Sequence, residues 1–331
     1  MSAVATPTRE KARAAGISLK RLPRGQWGTV LLLAALVVAD FAVQPNLADV
    51  DQIGLLLQTA MPAVLLAAAQ TLAVLSRGVD LSVGSVMVTT NVLVATKLGG
   101  IDGSHMGLIV PIVAVGAAAG LINGALIAYG GLEPFVATLA SWAIFNGVAL
   151  LILPTDGGAV PTTITNLVIG KVGPIPSSYV GVAIVLAFWW YLRRSPLGVR
   201  ILAVGSDESR AFLNGIDVRR TKLLVYALSG LIAGLAGIYL AGATSSGTPA
   251  AGDGFLLPSL AAVVIGGTSL AGGRGGIGLS VMGVMVLTFI TDLVTNLQLP
   301  SWVAVVANAA MLLLVVSLRS LPNVLSRKET P

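Results

Sequence analysis

Long apolar segments alternate with short polar ones along most of the chain. Ten segments are predominantly apolar: 27–43, 53–75, 81–97, 107–130, 134–153, 178–192, 223–243, 257–267, 277–296 and 301–318. A helix that crosses the apolar core of a bilayer needs about 20 such residues, and several segments, notably 257–267, are shorter. Short or broken spans are tolerated where protein or a water-filled cavity surrounds the backbone. The pattern predicts an all-α, polytopic membrane protein with about ten transmembrane helices, some of them short or broken.

Composition requires a membrane as well. Hydrophobic residues make up 55% of the chain and charged residues only 10%, whereas soluble domains carry about 25% charged residues. The chain has no cysteine, which excludes a disulfide framework and Cys-ligated metal. Its formal charge of +6 does not indicate nucleic acid, because the basic residues stand at the ends of apolar segments and are not interleaved with stacking aromatics.

The distribution of basic residues predicts the orientation. If the N-terminus is inside, 18 of the 20 Lys and Arg residues fall in inside segments, and only Lys97 and Lys171 fall outside. Basic residues favour the cytoplasmic side of spanning helices. We therefore expect cytoplasmic tails at 1–26 and 319–331 around a single transmembrane domain, 27–318. The tail has no apolar core of a signal peptide, so the first apolar segment is expected to be an uncleaved span.

Segment 193–222 is the long internal stretch that is charged and shows no apolar period, and it contains seven basic and three acidic residues. Ser206 is the expected N-cap of a short helix at Asp207–Leu213, because Asp207 and Glu208 suit a first turn and Asn214-Gly215 suits a helix end. This helix would present Phe212 and Leu213 to the lipid headgroups or to another protein.

The remaining chemistry is mostly excluded. The stretch Gly267–Arg274 lacks the lysine and following hydroxyl of a P-loop, so ATP binding of that kind is not expected. His105, the one histidine, lies in a short loop with Asp102 and lacks further ligands, so we expect an exposed loop residue and no metal site. Hydrolase motifs are also missing from the sequence, so the chain is not expected to be an enzyme.

Small residues recur at four-residue spacing in two predicted spans, at Gly116, Gly120 and Gly124 and at Gly230 and Gly234. Glycines at this spacing allow helix backbones to approach closely, so we expect tight packing in preference to ligand contact. Residues 81–88 and 279–286 have weakly similar sequences, and each segment follows an Arg-Gly pair. Either an internal duplication or chance explains this similarity.

Four acidic residues, Asp40, Asp80, Glu133 and Asp292, lie within or beside the predicted spans, where charge is costly. Placement at the membrane boundary explains Asp40 and Asp292. Asp80 follows a Gly-x-Asp turn that leads into a helix, so we expect its carboxylate to cap exposed amides in preference to contacting a substrate.

Around Asp80, the run Leu72–Ser85 resembles the signature of the membrane permease subunits of bacterial ABC-type sugar importers, of the ribose, xylose, arabinose and galactose class. The second half agrees, at 196–198, 203–205, 215–216, 228–231 and 261–275. The resemblance covers most of residues 55–318. It implies the structural-motif residues Gly78, Asp80, Ser82, Gly84, Gly266, Gly267, Gly273 and Arg274.

The resemblance also implies partners and a location. Two permease subunits, identical or different, would form the pathway in the bacterial cytoplasmic membrane. Cytoplasmic ABC ATPase subunits, or a fused double ATPase, would use ATP and Mg to drive it, and a periplasmic or lipid-anchored binding protein would deliver the sugar. This chain itself would bind no cofactor. The implied ATPase-coupling residues are Gly205, Ser206, Asp207, Glu208, Arg210, Phe212, Leu213, Gly215 and Ile216.

The chain departs from its apparent relatives at several places. Ser76-Arg77 replaces a commoner small pair before Gly78, and Ser206-Asp207-Glu208 replaces an Asn-Glu pair. Phe255–Ser259 stands where relatives often have an aromatic residue followed by acidic ones, which puts the usual substrate or outer gate in question. Pro154–Ser177 has no counterpart in the resemblance.

Two alternatives to a sugar permease stay open, namely a permease of the same fold for another small polar solute and an autonomous secondary carrier. A carrier would require a buried ionisable pair, which the sequence does not reveal. A conduit needs only weak polar contacts, and the candidates are Asn91, Asn123, Thr138, Ser141, Asn146 and Asn308. For each of them a hydrogen bond between helices is the preferred role.

Overall fold

The computed structural model describes residues 24–98 and 100–326, and most of them are helical. In this part of the chain the helices are α1 Arg24–Val43, α2 Val50–Leu75, α3 Val83–Lys97, α4 Ile109–Ala128, α5 Pro134–Ile152, α6 Thr162–Ile169, α7 Ser177–Arg194, α8 Pro196–Ser206, α9 Glu208–Leu213, α10 Val218–Thr244, α11 Gly252–Gly266, α12 Ile277–Asn296 and α13 Ser301–Ser326. Each of the ten predicted apolar segments forms one of these helices. Residues 1–23 of the predicted N-terminal tail and residues 327–331 lie outside the described residues.

Five helical stretches are long and apolar enough to cross a membrane: α2, Met106–Ala128 (α4 with its preceding 3₁₀ turn), α5, α10 and α12. Other apolar helices are shorter, among them Trp27–Val43 in α1, α8, α11 and Ser301–Val315 in α13. The chain is therefore a largely helical polytopic membrane protein. The last helix continues to Ser326, past the predicted end of the transmembrane domain at 318.

The second helix, α2, forms the centre of the bundle and packs against α10, α12, α7 and α11. From Ala60 onward most of its residues are buried, and Leu66, Leu72 and Leu75 are fully enclosed. A helix that is apolar all round is suited to such a central place.

The glycine stripes of α4 and α10 face each other, which confirms the predicted tight packing and identifies the two helices as partners. A Cβ atom on Gly116 would lie 2.6 Å from the carbonyl oxygen of Gly230, and one on Gly120 would overlap the backbone of Tyr226. One on Gly124 would lie 3.0 Å from the Cα atom of Leu223. The two backbones therefore touch along the seam, and larger residues at these positions would separate the helices.

The prediction that 193–222 is a loop is wrong over its first half, which contains α8. The side chain of Ser195 caps this helix by accepting a hydrogen bond from the Gly198 N–H at 3.2 Å, and Pro196 occupies the first turn, where its missing N–H costs nothing. The buried positions Gly198, Ile201 and Val204 recur every three residues. This buried face is narrow and contains glycine, and charged residues are frequent in the segment. The sequence therefore shows no clear apolar face there.

The segment 154–177 is ordered into α6 and a short antiparallel hairpin, β1 Lys171–Val172 and β2 Ile175–Pro176. Gly157 and Gly247 exchange backbone hydrogen bonds of 3.0 and 2.7 Å, which fasten the segment to the loop after α10. At the hairpin, Lys171 pairs with Asp51 at the start of α2, with 2.7 Å between Nζ and Oδ1.

Candidate functional site

The short helix α9 is present where the sequence predicted it, but its cap is one residue later than expected. Asp207 has extended backbone angles and its Oδ1 accepts a hydrogen bond from the Arg210 N–H at 3.0 Å, which is N-cap geometry. Ser206 is instead the last residue of α8, and its hydroxyl donates to the Leu202 carbonyl. The predicted helix end is confirmed, because Asn214 is the C-cap and Gly215 has a φ of +79°.

Two large apolar side chains of α9 point away from the bundle. Phe212 is 71% exposed and Leu213 is 82% exposed, whereas Ala211 beside them is buried. A separate groove of about 400 Å³ is lined by Ser206, Arg210 and Ile216, and neither Phe212 nor Leu213 lines it. Two neighbouring, exposed, large apolar side chains are typical of a protein–protein contact.

One ion pair joins α9 to α10, and a second lies within α9 and its N-cap. Glu208 pairs with Lys222 on α10 at 2.7 Å, and Arg210 pairs with Asp207 at 3.2 Å. The backbone N–H of Arg210 holds the pKa of the Asp207 carboxyl below its usual value, and the charges of Arg210 and Arg77 act in the same direction. The cap is therefore ionised at neutral pH, where it suits the positive end of the helix dipole.

The turn after α2 and the turn after α11 both contact the C-terminal end of α8, mostly through backbone atoms. A Cβ atom on Gly205 would lie 2.6 Å from the backbone nitrogen of Gly273, and that nitrogen donates to the Leu75 carbonyl oxygen at 3.0 Å. Gly267 and Gly273 have φ values of +106° and +69°, which favour glycine. Arg274 is exposed beside them. The turns after α2 and after α11 thus contact α8 through backbone.

The other predicted glycines of the motif also lie at close approaches. A Cβ atom on Gly78 would overlap the Tyr226 hydroxyl, and one on Gly84 would lie 2.7 Å from the Gly252 carbonyl oxygen. One on Gly266 would overlap the backbone of Leu279. Close contact with backbone at Gly84 and Gly266, and with a tyrosine side chain at Gly78, explains why these positions are glycine.

Asp80 is buried in the turn between α2 and α3 and connects this turn to α10. Its Oδ1 accepts hydrogen bonds from the N–H and the hydroxyl of Ser82, at 3.1 and 2.6 Å, and its Oδ2 accepts one from the Ser229 hydroxyl at 2.7 Å. Burial raises the pKa of the Asp80 carboxyl, and the hydrogen bonds from Ser82 and Ser229 oppose that rise. No local sequence pattern indicates this role of Ser229, because its partner lies 149 residues away in the chain.

Two of the predicted pathway residues, Asn123 and Ser141, extend this hydrogen-bond network, and a third, Thr138, binds the backbone of the same turn. Asn123 on α4 donates to the Ser82 hydroxyl at 2.9 Å, and its Oδ1 accepts a short hydrogen bond from Ser141 on α5. Thr138 on α5 accepts a hydrogen bond from the Leu81 N–H at 3.1 Å. All three residues are buried. Their polar atoms therefore join helices and do not line an open channel in this structure.

The other three predicted pathway residues lie apart from the network. Asn91 is buried in α3 and holds the loop after α10, because its Oδ1 accepts from the Thr248 N–H at 2.7 Å. Asn308 on α13 donates to Thr291 on α12 at 3.3 Å. Asn146 is half-buried on α5.

Asp40 lies near the C-terminal end of α1, and its side chain is fully buried although a residue at the membrane boundary could be exposed to water. Its placement at the boundary stays a prediction. Gln44 connects Asp40 to Asp292: its N–H donates to the Asp40 carbonyl at 2.7 Å, and its side chain donates to the Asp292 carboxylate at 3.0 Å. Packing between helices encloses Asp40, and hydropathy within one segment does not report such packing.

Comparison with known proteins gives one consistent group of relatives. A family model described as the permease component of the branched-chain amino acid transport system matches residues 52–316. The ribose import permease protein RbsC of Escherichia coli (strain K12) is 34% identical over 296 residues, which cover 87% of this chain and 91% of the relative. RbsC of Bacillus subtilis (strain 168) is 35% identical over 309 residues, covering 88% and 91%. The D-allose transport system permease protein AlsC of Escherichia coli (strain K12) is 32% identical over 299 residues, covering 88% and 91%. No solved structure matches the chain.

Proposed function

The chain belongs to the family of these transport-system permease components, and we propose that it is the permease subunit of an ATP-binding-cassette importer for a sugar or sugar-like solute. Identity of 34% to a ribose import permease over 87% of the chain is the observation that carries this proposal. The allose permease at 32% identity supports the same class of cargo. The chain is a non-catalytic subunit in this proposal, and ATP with Mg is used by a separate ATPase.

We place ten membrane segments in the bacterial cytoplasmic membrane, with both ends of the chain in the cytoplasm. The positive-inside distribution, 18 of 20 basic residues, supports this orientation. It puts α8, α9 and the turns after α2 and α11 on the cytoplasmic side. The pairing of Lys171 with Asp51 would then lie outside, where the solute-binding protein delivers the cargo.

The surface of α9 is the docking site for the ATPase in this proposal. Exposed Phe212 and Leu213 supply an apolar contact, and the capped, ion-paired helix holds them at a fixed position. A second permease subunit completes the pathway. Binding energy from the ATPase shifts the permease between conformations only if the ATPase prefers one of them.

The test of docking is capture of the co-expressed ATPase by purified permease. Replacing Phe212 and Leu213 together with Ala removes the apolar contact and should weaken capture about 30-fold or more, the effect of losing a hot spot worth about 2 kcal/mol. The control Leu167→Ala removes a side chain that is 73% exposed on α6 and should leave capture unchanged. Undiminished capture by the double variant would contradict docking at α9.

The cargo is tested with the cognate binding protein. We expect thermal stabilisation by a pentose or hexose, since ligand binding to the native state raises its stability by mass action. A branched-chain amino acid is the second candidate, because the family model carries that description. Stabilisation by leucine or valine with no response to ribose or allose would favour it.

A secondary carrier is the third possibility. Such a carrier would use a buried ionisable residue, and Asp40, which Gln44 connects to Asp292 on α12, is the candidate. Reconstitution separates the two mechanisms. The importer requires the ATPase and the binding protein for uptake into liposomes, whereas uptake by the lone chain would overturn the proposal.

A further inference from the structure

The turn after α2 places an arginine in a backbone conformation that usually belongs to glycine. Arg77 has a φ of +66°. The Arg77 N–H donates to the Val74 carbonyl at 3.0 Å and the Gly78 N–H donates to the Ala73 carbonyl at 2.9 Å, which together form a Schellman motif. Glycine is the common residue at the left-handed position of that motif, because a Cβ atom is strained there.

The turn after α11 is built in the same way with glycine. The Gly267 N–H donates to the Val264 carbonyl at 3.0 Å, the Thr268 N–H donates to the Val263 carbonyl at 3.1 Å, and Gly267 has a φ of +106°. Gly267 therefore occupies the position that Arg77 occupies after α2. The helix end itself does not require arginine, so the reason for Arg77 lies in its side chain.

The side chain of Arg77 joins the three segments that meet at the end of α8. Its Nε donates to the Ala271 carbonyl at 3.0 Å, and its Nη2 donates to the Ser206 carbonyl at 3.2 Å. A Cβ atom on Gly272 would lie 2.6 Å from the Arg77 Cγ, so glycine leaves room for the aliphatic stem. Ser206 is the last residue of α8 and directly precedes Asp207, the cap of α9.

We propose that Arg77 is the positioning residue that transmits displacement of α8 and α9 to the turns after α2 and α11. The proposal deepens the importer function above and rests on it. The guanidinium ties the α8 terminus to both turns at once, and the Gly273 N–H bonded to the Leu75 carbonyl makes a second, parallel connection between the turns. A push on α9 therefore reaches the helix pairs α2–α3 and α11–α12 together.

The test compares sugar imported with ATP hydrolysed in proteoliposomes that contain the complete importer. Arg77→Gly removes the side chain and supplies the residue that suits the backbone, so the variant should fold. Arg77→Gln removes the charge, and Arg77→Lys keeps it with a single donor group. We expect import per ATP to fall about 5-fold to 150-fold in the Gly and Gln variants, the usual range of a coupling between sites, and to be partly restored by Lys.

ATPase capture and the unfolding temperature should stay near those of the natural protein, because α9 and its cap remain. Arg193→Gln removes the same charge from an exposed position on α7 and should not change import per ATP. If sugar import per ATP were unchanged in both the Gly and the Gln variant, the proposal would be overturned. Loss of ATPase capture would also overturn it, because Arg77 would then act in docking. Failure of the natural protein to show ATPase-dependent import would instead refute the importer function.

Discussion

Replacing Asp80 tests whether this buried carboxylate supports the structure or contacts the cargo. Asp80→Ala removes the acceptor of three hydrogen bonds, those from the Ser82 N–H, the Ser82 hydroxyl and the Ser229 hydroxyl. The hydroxyls can rotate toward other acceptors, whereas the Ser82 N–H is fixed by the turn. Asp80→Asn keeps one carbonyl oxygen for Ser82 and presents an amide group to the Ser229 oxygen.

The magnitudes follow from these bonds. A buried donor left unsatisfied costs about 1–3 kcal/mol, and a hydrogen bond to a charged group contributes about 1.5–3 kcal/mol. For Asp80→Ala we therefore expect a loss of about 2–5 kcal/mol of unfolding free energy, allowing the hydroxyls partial compensation. Asp80→Asn should cost about 1–2 kcal/mol, because it loses charge but few partners.

The assay is thermal unfolding of the purified permease, followed by uptake with the complete importer. Asp80→Ala should unfold several degrees below the natural protein, and Asp80→Asn should lie between them. Uptake by the Asn variant, per folded molecule, should stay close to that of the natural protein. The control Asp156→Ala changes an exposed aspartate and should shift neither quantity.

Two results would contradict a structural role for the Asp80 carboxylate. If Asp80→Ala unfolded at the temperature of the natural protein, the carboxylate would not support the turn. If Asp80→Asn unfolded normally but imported nothing, the charge itself would act on the cargo or on the pathway, and the structural role of Asp80 would be wrong.

Gly120→Ala should lower the unfolding temperature, because its Cβ would overlap Tyr226 and overpacking costs about 1–3 kcal/mol. Gly147→Ala, on α5 with nothing within 4 Å of the new Cβ, should raise it through about 0.5–1 kcal/mol of helix stabilisation; shifts of equal sign would contradict the glycine seam. The lowered pKa of Asp207 means that its stabilising cap is complete above the unfolded value of about 3.9 and is lost as pH falls through the lower folded value. Capture of the ATPase should therefore be flat from about pH 8 to about pH 5, and a midpoint near neutrality would contradict the cap.

The elements that the sequence predicted well are those whose signal is local. Long apolar segments predict ten of the thirteen α-helices in the described residues, and the Asn214-Gly215 pair predicts the end of α9. The cap was assigned one residue too early, because Ser206 and Asp207 are both good caps and only the extended backbone of Asp207 distinguishes them. The sequence does not predict helix α8, because its buried face is narrow and includes two glycines.

Features that depend on distant residues could not be predicted from the sequence. The pairing of Asp80 with Ser229 joins positions in different helices, and no local pattern indicates it. Burial of Asp40 arises from α12, far along the chain. The sequence shows Asn123, Thr138 and Ser141 as polar residues within apolar segments, but their hydrogen-bond partners are visible only in three dimensions.

The glycine seam between α4 and α10 limits which motions the bundle can make. Because backbone touches backbone there, sliding either helix along its axis would drive peptide groups into one another. We therefore expect α4 and α10 to move together as one rigid unit. Alternating access would then displace this pair as a whole against its neighbouring helices, and the small size of glycine would set how closely the two members stay joined.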